Sequence, residues 1–313
     1  MSARPRFNQL AIAFSVVALH SAAADTATTI FEKALASEHS AIAERKRFTY
    51  QEHFTDRIFD KRGKLLTSHT RTYDVIYLGG GTFDRLVRID DKPLPRKREA
   101  QEQERERQED QRRRSESDVA GTAEAPENIR LVYYVFKRNA TNPERDERDV
   151  TVYPDLIPEG FDLTLRNEET VAGRAVYVIA ASPRSKGPGA NPALRAMSNL
   201  ELEFRIDQTD LRFAEMKAVV TGEGSPWAVG SRVYWRWRRL DELEPDSCKE
   251  LGAEKCKAWV PTQRGWEHTI TVRSRRYQEE TQISYANYRR FSSDTKIGNF
   301  DYAEIPDTEP TKE

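Results

Sequence analysis

The stretch Leu200–Leu240, LELEFRIDQTDLRFAEMKAVVTGEGSPWAVGSRVYWRWRRL, decides the fold class. Leu200 to Ile206 alternates apolar and polar residues, the two-residue period of a strand with one buried face. Asp207 to Asp210 reads as a turn, Leu211 to Thr221 as the returning strand, Gly222 to Gly230 as a second turn, and Ser231 to Leu240 as a third strand. In that third strand Val233, Trp235 and Trp237 share one face, while Tyr234, Arg236 and Arg238 share the other. The tryptophans can therefore line an interior while the arginines meet solvent or anionic head groups.

The same pattern extends outward on both sides. Phe161 to Val171 and Ala175 to Ala181 form a hairpin around Ala172-Gly173, and Lys257 to Thr262, Trp266 to Ser274 and Thr281 to Tyr288 continue the meander. Earlier, Phe48 to Phe59 and Leu66 to Leu78 flank a turn at Asp60-Lys-Arg-Gly63. Gly79-Gly80-Gly81 ends that hairpin without the Gly-Lys-Ser/Thr of a phosphate loop, and Thr82 to Ile89 starts a third strand. Arg130 to Lys137 is apolar on both faces and predicts a strand central in the sheet. Ahead of them all, Ile30, Leu35, Ile42 and intervening alanines recur at helical spacing from Thr26 to Lys46, with Asp25 available as N-cap. No strand alternates with a helix, so the predicted fold is mainly β (α+β). It is a strongly curved antiparallel half-barrel whose concave face the amphipathic helix fills.

Residues 95–118 stand apart. Arg96 to Arg114 carries eight basic residues, and eight acids fall between Arg96 and Asp118, with almost no apolar stripe. Acid-first pairs such as Glu109 with Arg113 and Asp110 with Arg114 predict a charged helical insertion exposed to solvent, available as a docking arm for an envelope protein. Residues 119–128 read as a linker, residues 25–300 as one domain, and residues 301–313 as a flexible tail.

The first 24 residues read as an address. Arg4 and Arg6 precede the apolar run Leu10 to Leu19, and Ala22-Ala23-Ala24 supplies small residues for cleavage, so a secretory signal removed after Ala24 and a periplasmic location are expected. The run is too short to span a bilayer. Its removal takes two arginines and no acid from 50 basic and 51 acidic residues, leaving 48 minus 51, or −3. That balance argues against a nucleic-acid partner. Cys248 and Cys256, in a polar segment around Gly252, are most simply a disulfide in an oxidising compartment.

Catalytic and metal chemistry find no foothold in the sequence. Apart from His20 in the leader, the histidines are His39, His53, His69 and His268, and none has two-ligand helical spacing. A hairpin turning near Arg62 would bring His53 and His69 across from each other, but without a third ligand. There is no Gly-x-Ser-x-Gly, and Ser225 lies in a turn with no base beside it. No catalytic residue, metal site or cofactor is expected, and a monomer is.

Four short segments carry a resemblance across most of the chain: Gly173-Arg-Ala-Val-Tyr177, Leu202-Glu-Phe-Arg-Ile-Asp207 with Thr209 and Leu211, Trp259-Val-Pro261, and Tyr285-Ala-Asn-Tyr-Arg-Arg-Phe291. With the leader, the single helix and about ten strands, the chain resembles the periplasmic LolA/LolB-like lipoprotein-carrier superfamily. Within it, the chain looks like a branch of outer-membrane lipoprotein-sorting-like proteins with a charged insertion after the third strand. It departs from the pattern at the Cys248–Cys256 loop and at the aromatic, basic strand Val233–Arg239. The resemblance implies a half-barrel that holds acyl chains of a lipid or lipoprotein without a covalent step. Periodicity then nominates Ile30, Leu35, Tyr133, Val135, Phe204, Trp235 and Trp237 as cavity lining. The competing expectation is an envelope-sensing or scaffold module that acts through protein contacts and carries no lipid.

Overall fold

The computed structural model describes residues 10–45, 47–78, 81–119, 131–132, 135–136, 145–146, 151–185, 191–222, 228–245, 248, 255–272 and 274–290. Helix α1 (Leu10–Arg45) leads into β1 (Phe48–Phe59), β2 (Leu65–Leu78), β3 (Gly81–Ile89) and the two-residue β4 (Lys92–Pro93). Helix α2 (Arg96–Val119) follows, then four two-residue strands: β5 (Leu131–Val132), β6 (Val135–Phe136), β7 (Arg145–Asp146) and β8 (Thr151–Val152). After α3 (Ile157–Gly160) come β9 (Phe161–Val171), β10 (Arg174–Pro183), α4 (Pro192–Met197), β11 (Leu200–Asp207), β12 (Phe213–Val220), β13 (Arg232–Arg239), α5 (Leu240–Leu243), β14 (Trp259–Val272) and β15 (Arg275–Arg290).

Eleven strands form one open antiparallel sheet in the order β4-β3-β2-β1-β15-β14-β13-β12-β11-β10-β9. The first hairpin therefore returns to lie against the last strand, with Phe54 opposite Ile283 and Phe59 opposite Gln278. This is the expected curved, mainly β half-barrel. Its turns follow local chemistry. Asp60 Oδ1 accepts from the amides of Arg62 (2.8 Å) and Lys64 (3.0 Å), and Gly63 takes φ +78°. Ala172 and Gly173 both have positive φ, the geometry of a two-residue hairpin matched to strand twist. Asp207 Oδ1 accepts from Thr209 (3.0 Å) and Asp210 (2.7 Å), turning β11 into β12.

Several expectations need correction. The helix does not start at Asp25: α1 runs unbroken from Leu10, so Asp25 lies inside it. Arg130 to Lys137 is not a central strand; β5 and β6 pair with β8 and β7 in two separate two-stranded ladders. The strands expected on either side of Gly265 are one continuous β14. Glycine is required there because a Cβ would fall 2.6 Å from the Tyr234 hydroxyl and 2.7 Å from the Thr281 carbonyl. The gap in side chains marks a close approach by Tyr234 and not a strand end. Finally, α2 lies against β2 and β3 instead of standing clear in solvent.

The helix is fastened by Phe31. Its ring meets Phe204 edge-on at 4.9 Å and Phe213 at 5.6 Å, while Ala27, Ala34 and Ala41, also buried, allow close approach to the sheet. Phe31→Ala should cost about 3–5 kcal/mol through the cavity left between helix and sheet, read as a lowered denaturant midpoint in equilibrium unfolding.

Candidate functional site

The register sorts the sheet into two chemically distinct faces. On the concave face, Leu200, Leu202 and Phe204 of β11 oppose Val220, Ala218 and Met216 of β12. Met216 and Ala218 in turn oppose Trp235 and Val233 of β13, and Val233 opposes Trp266 of β14. The face continues through Ile283 and Tyr285 of β15 to Phe54 of β1, Val75 of β2 and Leu86 of β3, all buried. Period-two alternation over eleven strands thus gives a broad apolar and aromatic surface. Helix α1 is seated on it, in contact with β9 and β14.

The nominated residues divide on this surface. Phe204, Trp235 and Trp237 are brought together in one buried core, and Ile30 and Leu35 are part-buried against it. Val135 is in β6, outside the main sheet, and Tyr133 lies outside the described residues. Phe31, not nominated, is the helix residue at the centre. The buried alanines on its face were the available signal, since Ala27, Phe31, Ala34 and Ala41 keep a three-, four- and seven-residue spacing.

A polar strip within the apolar surface was not visible in the sequence. Tyr50, Glu52, Arg264 and Tyr285 come from β1, β14 and β15, distant in sequence but adjacent in the sheet. Arg264 pairs with Glu52 at 3.7 Å and lies over the Tyr285 ring at 5.9 Å. Burial, then the neighbouring Glu52 and Asp84 carboxylates, push the Tyr50 hydroxyl well above its ordinary value. Burial likewise raises Tyr285 and Tyr288, so all three rings stay neutral at physiological pH. The Tyr288 hydroxyl donates to the Pro261 carbonyl. The concave surface is therefore amphipathic along this strip.

The outer face is a lattice of charge. Glu215, buried, receives Arg205 (3.0 Å), Lys217 (3.0 Å) and Arg236 (2.7 Å), and Arg205 also pairs with Glu169 (2.9 Å) and Glu203 (2.5 Å). Nearer the other edge, Ile76, Leu78 and Phe83 form a small separate apolar cluster beside α2. Lacking an apolar stripe, α2 docks by its arginines. Arg105 stacks on the Phe83 ring at 4.7 Å and donates to the Asp84 carbonyl (2.5 Å), and Arg113 donates to the carbonyls of Leu78 (2.7 Å) and Thr82 (3.0 Å). Arg85 on β3 completes the attachment with Glu106 (3.1 Å).

One end of the sheet is clamped by Arg174. It donates to both carboxylate oxygens of Asp207 (2.6 and 2.8 Å), to Asp210 (2.8 Å) and to Glu242 (2.9 Å), and lies over Trp259 at 5.4 Å. Beside it opens a pocket of about 230 Å³, measured out to its mouth, between Trp237, Trp259, Ala214 and Arg174. Most of that space is open to solvent; the enclosed part is about 10 Å³, room for about one water and far below a small-molecule site of about 300–1,000 Å³. The histidine pairing expected across the first hairpin does not form: His53 opposes Thr72 and His69 opposes Asp56, on opposite faces. No cluster of three or more His, Cys, Asp or Glu suited to a metal occurs among the described residues. Cys248 and Cys256 are joined in a disulfide, with Cα atoms 5.7 Å apart.

No family model matches the chain, and no curated protein matches it in sequence. Some solved structures are similar to it at low scores. An outer membrane lipoprotein-sorting protein domain from Vibrio parahaemolyticus is 11% identical, with 85% of this chain and 95% of that one covered at a TM-score of 0.38. A LolA superfamily protein from Nitrosomonas europaea is 12% identical, with 85% and 94% covered at 0.32. A DUF1329 family protein from Desulfovibrio piger is 14% identical, with 84% and 95% covered at 0.34. At these identities and scores the likeness carries no argument about ligand or partner, and function rests on the faces just described.

Asp207 is 1% exposed, so removing its bidentate partner leaves a buried carboxylate with no counter-charge of its own and only the Thr209 and Asp210 amides on Oδ1. Arg174→Met should cost about 3–5 kcal/mol. Burial opposes ionisation of Asp207, but the Arg174 hydrogen bonds and charge together with the Asp210 and Thr209 amides outweigh it and hold the carboxyl below its ordinary value. A depressed folded pKa contributes stability above the unfolded value near 3.9 and loses it as pH falls through the folded value. The Met variant should therefore begin acid unfolding at higher pH than the wild type, as followed by circular dichroism.

Proposed function

We propose that the chain is an exported, non-enzymatic binding protein that holds the acyl chains of a lipid or lipidated protein on the concave face of its half-barrel, between α1 and the sheet. The observation that carries this reading is the contrast between the faces: the outer face of β11–β13 is an ion-pair lattice around Glu215, whereas the concave face, outside the strip of Tyr50, Glu52, Arg264 and Tyr285, is apolar and aromatic. An apolar guest gains only on the concave side, at about 0.8 kcal/mol per buried CH₂. The helix seated there presents mostly alanine around Phe31, so separating it from the sheet sacrifices less apolar contact than a leucine-lined helix would. Phe204, Trp235 and Trp237 are the proposed walls, with Ile30 and Leu35 at the margin of the helix. Burial of an acyl chain needs no nucleophile, metal or cofactor.

Export to the periplasm is proposed from the leader-like N-terminus and agrees with the Cys248–Cys256 disulfide. Among the described residues, no helix is long and apolar enough to cross a membrane. A second reading, a scaffold that works through protein contacts, draws on α2, whose Arg107 and Arg114 side chains stand well out from the sheet to which Arg105 and Arg113 bind it. Deleting residues 96–118 separates the two readings: a carrier keeps its acyl ligand, and a scaffold loses its partner.

Native mass spectrometry of the protein purified from a periplasmic extract, with lipid extraction of the same sample, tests the carrier directly. An acyl-bearing species should travel with the chain and diminish in a folded Trp237→Ser variant. A protein that remains ligand-free after incubation with phospholipid and lysophospholipid contradicts the proposal.

A further inference from the structure

We infer that the tip of the β1–β2 hairpin is a contact surface for an anionic lipid bilayer. Every residue from Lys61 to Leu66 is exposed, and the run combines three cations, Lys61, Arg62 and Lys64, with two large aliphatic side chains. Leu65 is 48% and Leu66 47% exposed. Their exposure follows from the register: Ile58 pairs with Thr67 and Phe59 with Leu65, so Leu66 is the extra residue of a bulge that turns the chain end outward. The turn itself is well defined, since Asp60 takes the amides of Arg62 and Lys64. Those same two amide hydrogen bonds lead in holding the Asp60 carboxyl below its ordinary value.

The topology gathers similar chemistry at the same end of the sheet. Phe59 opposes Gln278, so the β14–β15 turn lies beside the tip and contributes exposed Arg275 and Arg276. Arg232 opposes Glu267, five residues before β14 ends, which places the β12–β13 connection at this end too. That connection holds Val229, 58% exposed. The three large hydrophobic residues exposed among the described residues thus share one end of the sheet with Lys61, Arg62, Lys64, Arg275 and Arg276. Isolated exposed leucines are unremarkable. Exposed aliphatic side chains that share one end of the sheet with five cations fit a bilayer surface, where leucines enter the interface and cations meet lipid phosphates. The inference is independent of what the concave face holds.

The test is co-sedimentation of the purified full chain with mixed phosphatidylethanolamine–phosphatidylglycerol vesicles, compared with phosphatidylcholine vesicles. Leu65→Ser/Leu66→Ser and Lys61→Ser/Arg62→Ser/Lys64→Ser are measured alongside in the same chain, so any contribution from residues 1–24 cancels. Wild type should bind the anionic vesicles and bind the neutral ones far more weakly. The leucine variant should lose at least about tenfold in partitioning. The cation variant should lose about a hundredfold, the equivalent of about 1 kcal/mol per charge at an anionic surface. Both should melt at the wild-type temperature and retain acyl binding. Equal binding to both vesicle types, wild-type partitioning by the tip variants, or no binding at all would each overturn the inference.

Discussion

The packing of Phe31 against Phe204 and Phe213 is the contact on which the organisation of the concave face depends. An open antiparallel sheet with one apolar face cannot leave that face in water, and among the described elements α1 is the long one laid across it. One ring enters the sheet, and alanines on the same helical face let the backbone follow closely. The helix is fixed at one position more than along a continuous apolar seam. The proposed carrier uses that feature, since a guest chain competes with one central aromatic ring, small alanines and the part-buried Ile30 and Leu35.

The two faces are maintained by different physics. Hydrophobic burial is non-directional and tolerates exchange of one apolar partner for another. The outer lattice around Glu215 and the Arg174 clamp are directional, with charges whose partners must remain in place. The β-sheet can therefore stay constant while the contents of its concave face change. The arginine-based docking of α2 extends the same logic: a helix with no apolar stripe is held by guanidinium groups on an aromatic ring and on strand carbonyls.

The fold was legible where one residue determined one environment. The alternation from Leu200 to Leu240 placed Phe204, Trp235 and Trp237 on the buried face, and Asp207 to Asp210 gave the turn. Legibility failed where the deciding partner was distant in sequence. Gly265 looked like a strand break because the Tyr234 side chain that requires it lies on β13. The polar strip of Tyr50, Glu52, Arg264 and Tyr285 exists only through the pairing of β1 with β15 and of β14 with β15. The docking of α2 was missed because arginine binding to carbonyls and to Phe83 leaves no hydrophobic period in the sequence. Ile30 and Leu35, the larger side chains, pack at the margin of the core, while the fully buried positions of the helix are Phe31 and small alanines, which a hydrophobic period does not single out.

A carrier of this design requires α1 to yield to a guest while the sheet does not. Hydrogen exchange followed by mass spectrometry, with and without a saturating single-chain lysophospholipid, measures this directly. The prediction is faster exchange in the segment from Ile30 to Ala41 on ligand addition, with β11, β12 and β13 amides keeping their protection. Bound ligand with unchanged exchange in α1 would contradict the account and place the guest elsewhere on the molecule.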